Sequence, residues 1–191
     1  MNKKFLDLGY HPLANRYLKK FKKLSIKKGE LYKLGVGFNT KTKLVSLIKK
    51  IPDKKMFDKN YPYRSSMSKT MINSFKKLSI KIKKKFKPKL FLEIGSNDGA
   101  LIQNFNKNKV VCVEPCSNLA KITKKKGYYT YDNYWNFDLA KRIKKKFDYI
   151  DVIYSSNTLT HINNLNEVFK SISLILNKNG VLIIEDPSFL E

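Results

Sequence analysis

Cysteine and histidine are nearly absent from this 191-residue sequence. Cys112 and Cys116 sit close together and give no disulfide framework. With only His11 and His161 beside them, they make no zinc set. Unpaired thiols suit a reducing compartment, so the cytoplasm is the expected location. Arginine is scarce too: Arg16, Arg64 and Arg142 are the three, within 40 basic residues and a net charge of +25. Arginine is the side chain that forks phosphate and guanine. The lysines occur in every region, with clusters at 19–23, 27–28, 49–55, 76–89, 121–126 and 141–146, not along one stripe. That distribution argues against nucleic acid as the main partner; a basic nucleic-acid-binding protein, or an enzyme acting on nucleic acid, stands as the alternative reading. What the charge does favour is attraction of a polyanionic substrate such as a nucleotide diphosphate. No apolar run approaches the ~20 residues of a membrane span. The first residues lack the long apolar stretch of a signal peptide, so no membrane partner is expected.

A hydrophobic fraction of 42% supports a packed core. The chain is organised around Leu90-Phe91-Leu92-Glu93-Ile94-Gly95-Ser96-Asn97-Asp98-Gly99. An apolar run ends in two glycines that bracket a polar turn. Ala100, Leu101, Ile102 and Phe105 then read as the start of a helix. Glycine permits the crowded or left-handed backbone of such a turn and lets a ligand approach the main chain. A second apolar run, Val110-Val111-Cys112-Val113, ends in Glu114. In a doubly wound fold, an acid there reaches the ribose of a nucleoside ligand. The dinucleotide fingerprint G-x-G-x-x-G is not met, because the turn reads G-S-N-D-G.

The rest of the chain divides around this unit. Residues 1–65 read as a small β-rich N-terminal module. Residues 9–15 are turn-like, 16–24 show helical spacing, and 31–38 and 43–48 are strands joined by a turn at 39–42. Residues 57–66 are an aromatic and polar link, readable as packing at a junction or as a lid with a phenol for handle. Residues 66–88 hold a connecting helix, with Met67, Met71, Ile72, Phe75 and Leu78 on one face and Ser66 or Ser68 as cap. Pro88 stops it. From 89 to 191 strands and helices alternate. Strands are predicted at 90–94, 110–114, 128–131, 148–155 and 181–184. Helices are predicted at 117–126 (Ser117 as cap, Gly127 as stop), 137–146 and 165–176. The pattern implies an α/β fold with a parallel sheet.

The pattern E-x-G-x-x-x-G followed by an acid resembles motif I of class I S-adenosylmethionine (SAM) methyltransferases. Several segments together resemble one family, the sugar C-methyltransferases with a zinc-binding N-terminal module. They are Leu8-Gly9-Tyr10-His11-Pro12-Leu13-Ala14-Asn15, Lys43-Leu44-Val45 and Tyr61-Pro62-Tyr63-Arg64-Ser65-Ser66-Met67-Ser68. They continue with the motif-I stretch, Val113-Glu114-Pro115, Ser156-Asn157-Thr158-Leu159-Thr160-His161-Ile162, and residues 180–187. The resemblance implies a Rossmann-like sheet and SAM as cofactor. It implies cofactor contacts through Glu93, Gly95, Ser96, Asn97, Asp98 and Gly99, through Glu114 and Pro115, and through Asn157. The substrate it implies is a nucleotide-linked keto-deoxysugar methylated at carbon.

Two departures from that family shape further expectations. Where the family has its second cysteine pair, this sequence has Asn39 and Thr42, and the first pair has no counterpart, so zinc is not expected. The chain stops at Glu191, just past the fifth predicted strand, where the family continues into a C-terminal domain with a His/Glu cluster. The expectation is a truncated or split member with about five strands. Such a chain would self-associate or draw the missing part from a separate chain, or else be a non-catalytic homologue. Carbon methylation needs a base for the C–H next to the ketone. The candidates are His161, after the fourth α/β strand, and Tyr63 or Tyr61. Asp132 or Asn133 is placed near the adenine. Trp135 and Cys112 are read as packing residues.

Overall fold

The computed structural model describes residues 2–15, 17 and 31–187. These fall into two compact units that meet in sequence between Met56 and Phe57. The helical spacing predicted over 16–24 lies, apart from Tyr17, outside the described residues.

The first unit is an antiparallel sheet of β1 (Asn2–Pro12), β2 (Leu31–Asn39) and β3 (Val45–Leu47), in that order, followed by the single-turn helix α1 (Asp53–Met56). The turn-like residues around Gly9 prove to be an irregularity within β1. The register slips between Asp7 and Tyr10, Gly9 takes φ +75°, and its N–H donates to Asp7 Oδ1 at 2.9 Å. Small residues allow close packing here, since Ile48 lies over Gly35 and Gly37. The turn at 39–42 closes on Asn39, whose Oδ1 accepts from the N–H groups of Lys41 and Thr42 at 2.9 and 3.0 Å.

The second unit is a parallel sheet with helices on both faces. After the 57–66 segment comes α2 (Lys69–Phe86), capped by Ser68 Oγ accepting from the Met71 N–H. Then follow β4 (Phe91–Ile94), β5 (Val110–Val113), α3 (Ser117–Lys125), β6 (Tyr129–Tyr131), α4 (Phe137–Phe147), β7 (Ile150–Ser156), α5 (Leu165–Ile175) and β8 (Leu176–Glu185). Strand order is β6-β5-β4-β7-β8, with every neighbouring pair parallel. Successive residues of each strand face opposite sides. Leu92, Ile94, Val111 and Val113 therefore pack under α4 and α5, while Phe91, Cys112 and Tyr154 pack under α2 through Phe75 and Ile82. Met67 is the exception to the predicted α2 face. It precedes the helix and is 80% exposed. Among the described residues, no helix is long and apolar enough to cross a membrane.

Three predicted details differ. The strand predicted at 181–184 begins at Leu176, with a register shift before Val181. The helix expected after Gly99 does not form. Ile102–Asn104 and Lys107–Lys109 are single 3₁₀ turns. Asparagine side chains take up backbone groups there, with Asn104 Nδ2 donating to Leu101 O and Asn106 Oδ1 accepting from Asn108 N–H. Such bonds compete with a helix ladder. The start of α3 differs as well. Cys116 occupies the cap position without a side-chain cap bond, and Ser117 is the first helical residue.

Candidate functional site

Strand order reverses between β4 and β7, and in open parallel sheets the crevice beyond that switch point receives ligands. The residues at those carboxyl ends are the glycine turn 95–99, Glu114, and 156–161.

The turn needs an unusual backbone. Gly95, Asn97 and Gly99 have φ of +77°, +50° and +89°. A Cβ at Gly95 would overlap the Thr158 hydroxyl and come within 2.9 Å of Thr158 Cγ2. The segment after β7 therefore presses on the turn after β4, and glycine at 95 is demanded by the chain itself. The N–H groups of Gly95 and Ser96 both donate to Val113 O, at 2.8 and 3.1 Å. Residues 63–66 brace the other side. Asn97 Oδ1 accepts from Ser65 N–H at 3.0 Å, and Asn97 Nδ2 donates to Tyr63 O at 3.3 Å. Both the N–H and the hydroxyl of Ser66 donate to the Asp98 carboxylate.

Glu114 joins these pieces. Its Oε2 accepts from Asn97 N–H at 2.8 Å and its Oε1 from Cys116 N–H at 2.9 Å. A carboxylate has about four acceptor positions; the two amides take one on each oxygen, and the Cys116 thiol also bonds the group. Burial raises the Glu114 carboxyl above its ordinary range, although the two amides pull the other way. Burial raises Glu93 further, helped by the neighbouring Glu114 and Asp98 carboxylates. Glu93 Oε2 is buried without a hydrogen-bond partner among the described residues. Burial also pushes the Cys112 thiol up to about 12, which suits a packing role and not a nucleophile. In a chain of charge +25, buried Glu93, Asp98 and Glu114 make this end of the sheet locally acidic.

On the β7 side, Asn157 is exposed with φ +48°, and its N–H donates to Glu185 O at 2.8 Å. His161 ends a 3₁₀ turn and is exposed. Its ring meets Phe57 edge-on at 5.4 Å, and Phe57 meets Tyr61 at 5.5 Å. Two of the three predicted base candidates thus gather on one phenylalanine. Tyr63 is 46% exposed, and its carbonyl accepts from Asn97 Nδ2. Pro115 is half-buried between Glu114 and α3. Asp132 and Asn133 are half-buried after β6, and Asp132 pairs with Lys124 at 4.0 Å. Trp135 is core, its Nε1–H directed to Val168 O at 3.4 Å. The sequence gives little sign of Phe57, Thr158 or Asp186. Asp186 accepts from Thr160 Oγ1 at 3.2 Å and lies within electrostatic reach of His161. Burial raises its carboxyl.

A sequence profile described as a methyltransferase domain matches residues 63–190, from Tyr63 through the glycine turn, Glu114 and His161. This chain belongs to that methyltransferase family. The methyltransferase is 28% identical over 104 residues to the C-methyltransferase NovU of Streptomyces niveus. That match covers 53% of this chain but spans a quarter (25%) of NovU's length. Among solved structures, a candidate S-adenosyl-L-methionine-dependent methyltransferase from Methanococcus maripaludis superposes with a TM-score of 0.51 at 19% identity. It covers 63% of this chain and 59% of that one. DesVI of Streptomyces venezuelae superposes at 0.50 with 12% identity, covering 62% and 51%. At such identities the likeness is one of fold: a parallel sheet with helices on both faces.

Proposed function

We propose that this methyltransferase uses SAM to methylate a carbon of a nucleotide-linked keto-deoxysugar. The observation that carries the cofactor reading is the Glu114 carboxylate. It is fixed by the Asn97 and Cys116 amides at the carboxyl end of the sheet, and a carboxylate held with acceptor capacity to spare suits the hydroxyls of a ribose. The unpartnered Glu93 Oε2 suits a ligand that brings a hydrogen-bond donor such as an ammonium. The support for carbon as acceptor and sugar as substrate is the partial likeness to NovU, together with the sequence resemblance.

When bound, the cofactor supplies an electrophilic methyl group. The protein's task is to make a carbon nucleophilic beside it. His161, exposed at the mouth and held by the Phe57 ring, removes the proton next to the ketone. Tyr61 or Tyr63 donates a phenolic hydrogen bond to the keto oxygen, where negative charge develops. Asp186 holds the imidazolium that results.

The test has two parts. Calorimetry with SAM on the wild type and on Glu114→Gln reads the cofactor site. Gly95→Val does not, because its clash with Thr158 disturbs the chain before any ligand arrives. Deuterium exchange at the carbon beside the ketone of a TDP-keto-sugar reads the base. Exchange lost in His161→Gln with SAM affinity retained supports the proposal. Unchanged exchange in that variant refutes the role of His161, and absence of SAM binding by the wild type refutes the whole reading.

A further inference from the structure

The outer face of α3 and the neighbouring loop at 59–60 enclose a concavity of about 380 Å³. Lys59 enters from the loop, and Lys121 and Lys125 from the helix, with Ser117 and Asn118 at the helix end and Ile122 as an apolar wall. The groove is built, because Asn118 Nδ2 donates to Tyr61 O at 2.8 Å and locks the loop to the helix. Among the described residues no carboxylate lines it. Asp58, beside Lys59, accepts the N–H of the lining residue Asn60 at 2.7 Å, and Asp132 pairs with Lys124. Folding therefore gathers three like charges from two distant segments around one hollow, and among the described residues none of the three forms an ion pair.

We propose that this groove is a diphosphate site. Three lysine ammonium groups match the charge of a pyrophosphate group, and ammonium–phosphate hydrogen bonds are of the charge-assisted kind. The volume suits a small ligand. Binding along a nucleic acid would need a continuous basic track instead. Ile122 gives one apolar surface for a ring attached to the phosphates. That the diphosphate belongs to a nucleotide-linked substrate rests on the function proposed above, whereas the anion site itself does not.

The test titrates the full chain with inorganic pyrophosphate, with TDP and with SAM, at fixed ionic strength. It compares wild type, K59Q/K121Q/K125Q, and a control of equal charge change, K84Q/K145Q/K178Q, whose lysines are exposed elsewhere. The groove variant should weaken pyrophosphate and TDP binding by at least about tenfold. The control should change it little, and SAM affinity should stay the same in all three. Equal weakening in both variants would reduce the effect to overall charge and overturn the site, as would a wild type that binds no pyrophosphate. TDP binding no tighter than pyrophosphate would keep the anion site and remove its nucleotide assignment. A chain that binds pyrophosphate through these lysines but no SAM would keep the groove and overturn the proposed function.

Discussion

The main-chain N–H of Asn97 donates to Glu114 Oε2 across 2.8 Å, so the glycine turn of one strand is hung on the acid that ends the next. Glu114 also accepts from Cys116 N–H, and each amide is at least partly buried. Glu114→Ala strips both donors of their partner. A buried unpaired donor costs about 1–3 kcal/mol, so this variant should lose roughly 2–4 kcal/mol in denaturant unfolding. Glu114→Gln keeps one acceptor oxygen and should lose less. Its SAM affinity should nonetheless fall about tenfold or more, because its NH₂ cannot accept from a hydroxyl. An alanine variant as stable as the glutamine one would contradict this account.

Gly95 and Thr158 form a second coupled pair. Gly95→Ala places a Cβ against the Thr158 side chain at a φ of +77°. The expected loss is roughly 2–5 kcal/mol, combining backbone strain with overpacking. Adding Thr158→Gly removes the clash but not the strain. The double variant should recover part of the stability, with a coupling of about 1 kcal/mol or more. Simple additivity in the double-mutant cycle would show that the two segments do not press on each other.

Glu93 should give stability an uncommon pH dependence. Its carboxyl is raised by burial and by the Glu114 and Asp98 carboxylates, so the folded state holds a proton that the unfolded state releases above about 4.5. Stability then falls as pH climbs from that value towards the raised folded pKa, and levels off beyond it. Glu93→Gln removes the titration. The stability difference, Gln variant minus wild type, should therefore grow with pH over that window. A difference that is flat, or that shrinks with rising pH, would mean that Glu93 is solvated or already paired.

Asp151 should show the opposite sign. Burial acts to raise its carboxyl. The Asn177 amide and the main-chain N–H groups of Leu90 and Lys89 outweigh that and hold it below 3.8. The bonds are 3.0, 3.0 and 2.9 Å long. Its contribution is complete above the ordinary aspartate value and is lost as pH falls through the depressed one. Asp151→Asn should cost about 1 kcal/mol at neutral pH in thermal or denaturant unfolding, since the site is partly solvated. The cost should shrink in acid. An equal cost at every pH would place the effect in packing and not in charge.

Much of this was already decided by the order of residues. Apolar runs separated by amphipathic stretches dictate alternating strands and helices, because each must hide its apolar side against the other. Crossover handedness then gives a parallel sheet. The two glycines around Ser96-Asn97-Asp98 and the acid at 114 fall at the carboxyl end of the sheet, and the methyltransferase profile spans that same stretch. Local chemistry also set the Ser68 cap and the stop before Pro88.

Other features depended on contacts that no local pattern encodes. The sequence after Gly99 has helical spacing, yet asparagine side chains divert its backbone into 3₁₀ turns. Gly95 is compelled by Thr158, a residue from another strand's loop. His161 and Tyr61 become neighbours only because both pack on Phe57. Periodicity records which side of an element is buried. Which distant side chains then meet is settled by packing, because close contact between separate segments carries no repeat in the sequence.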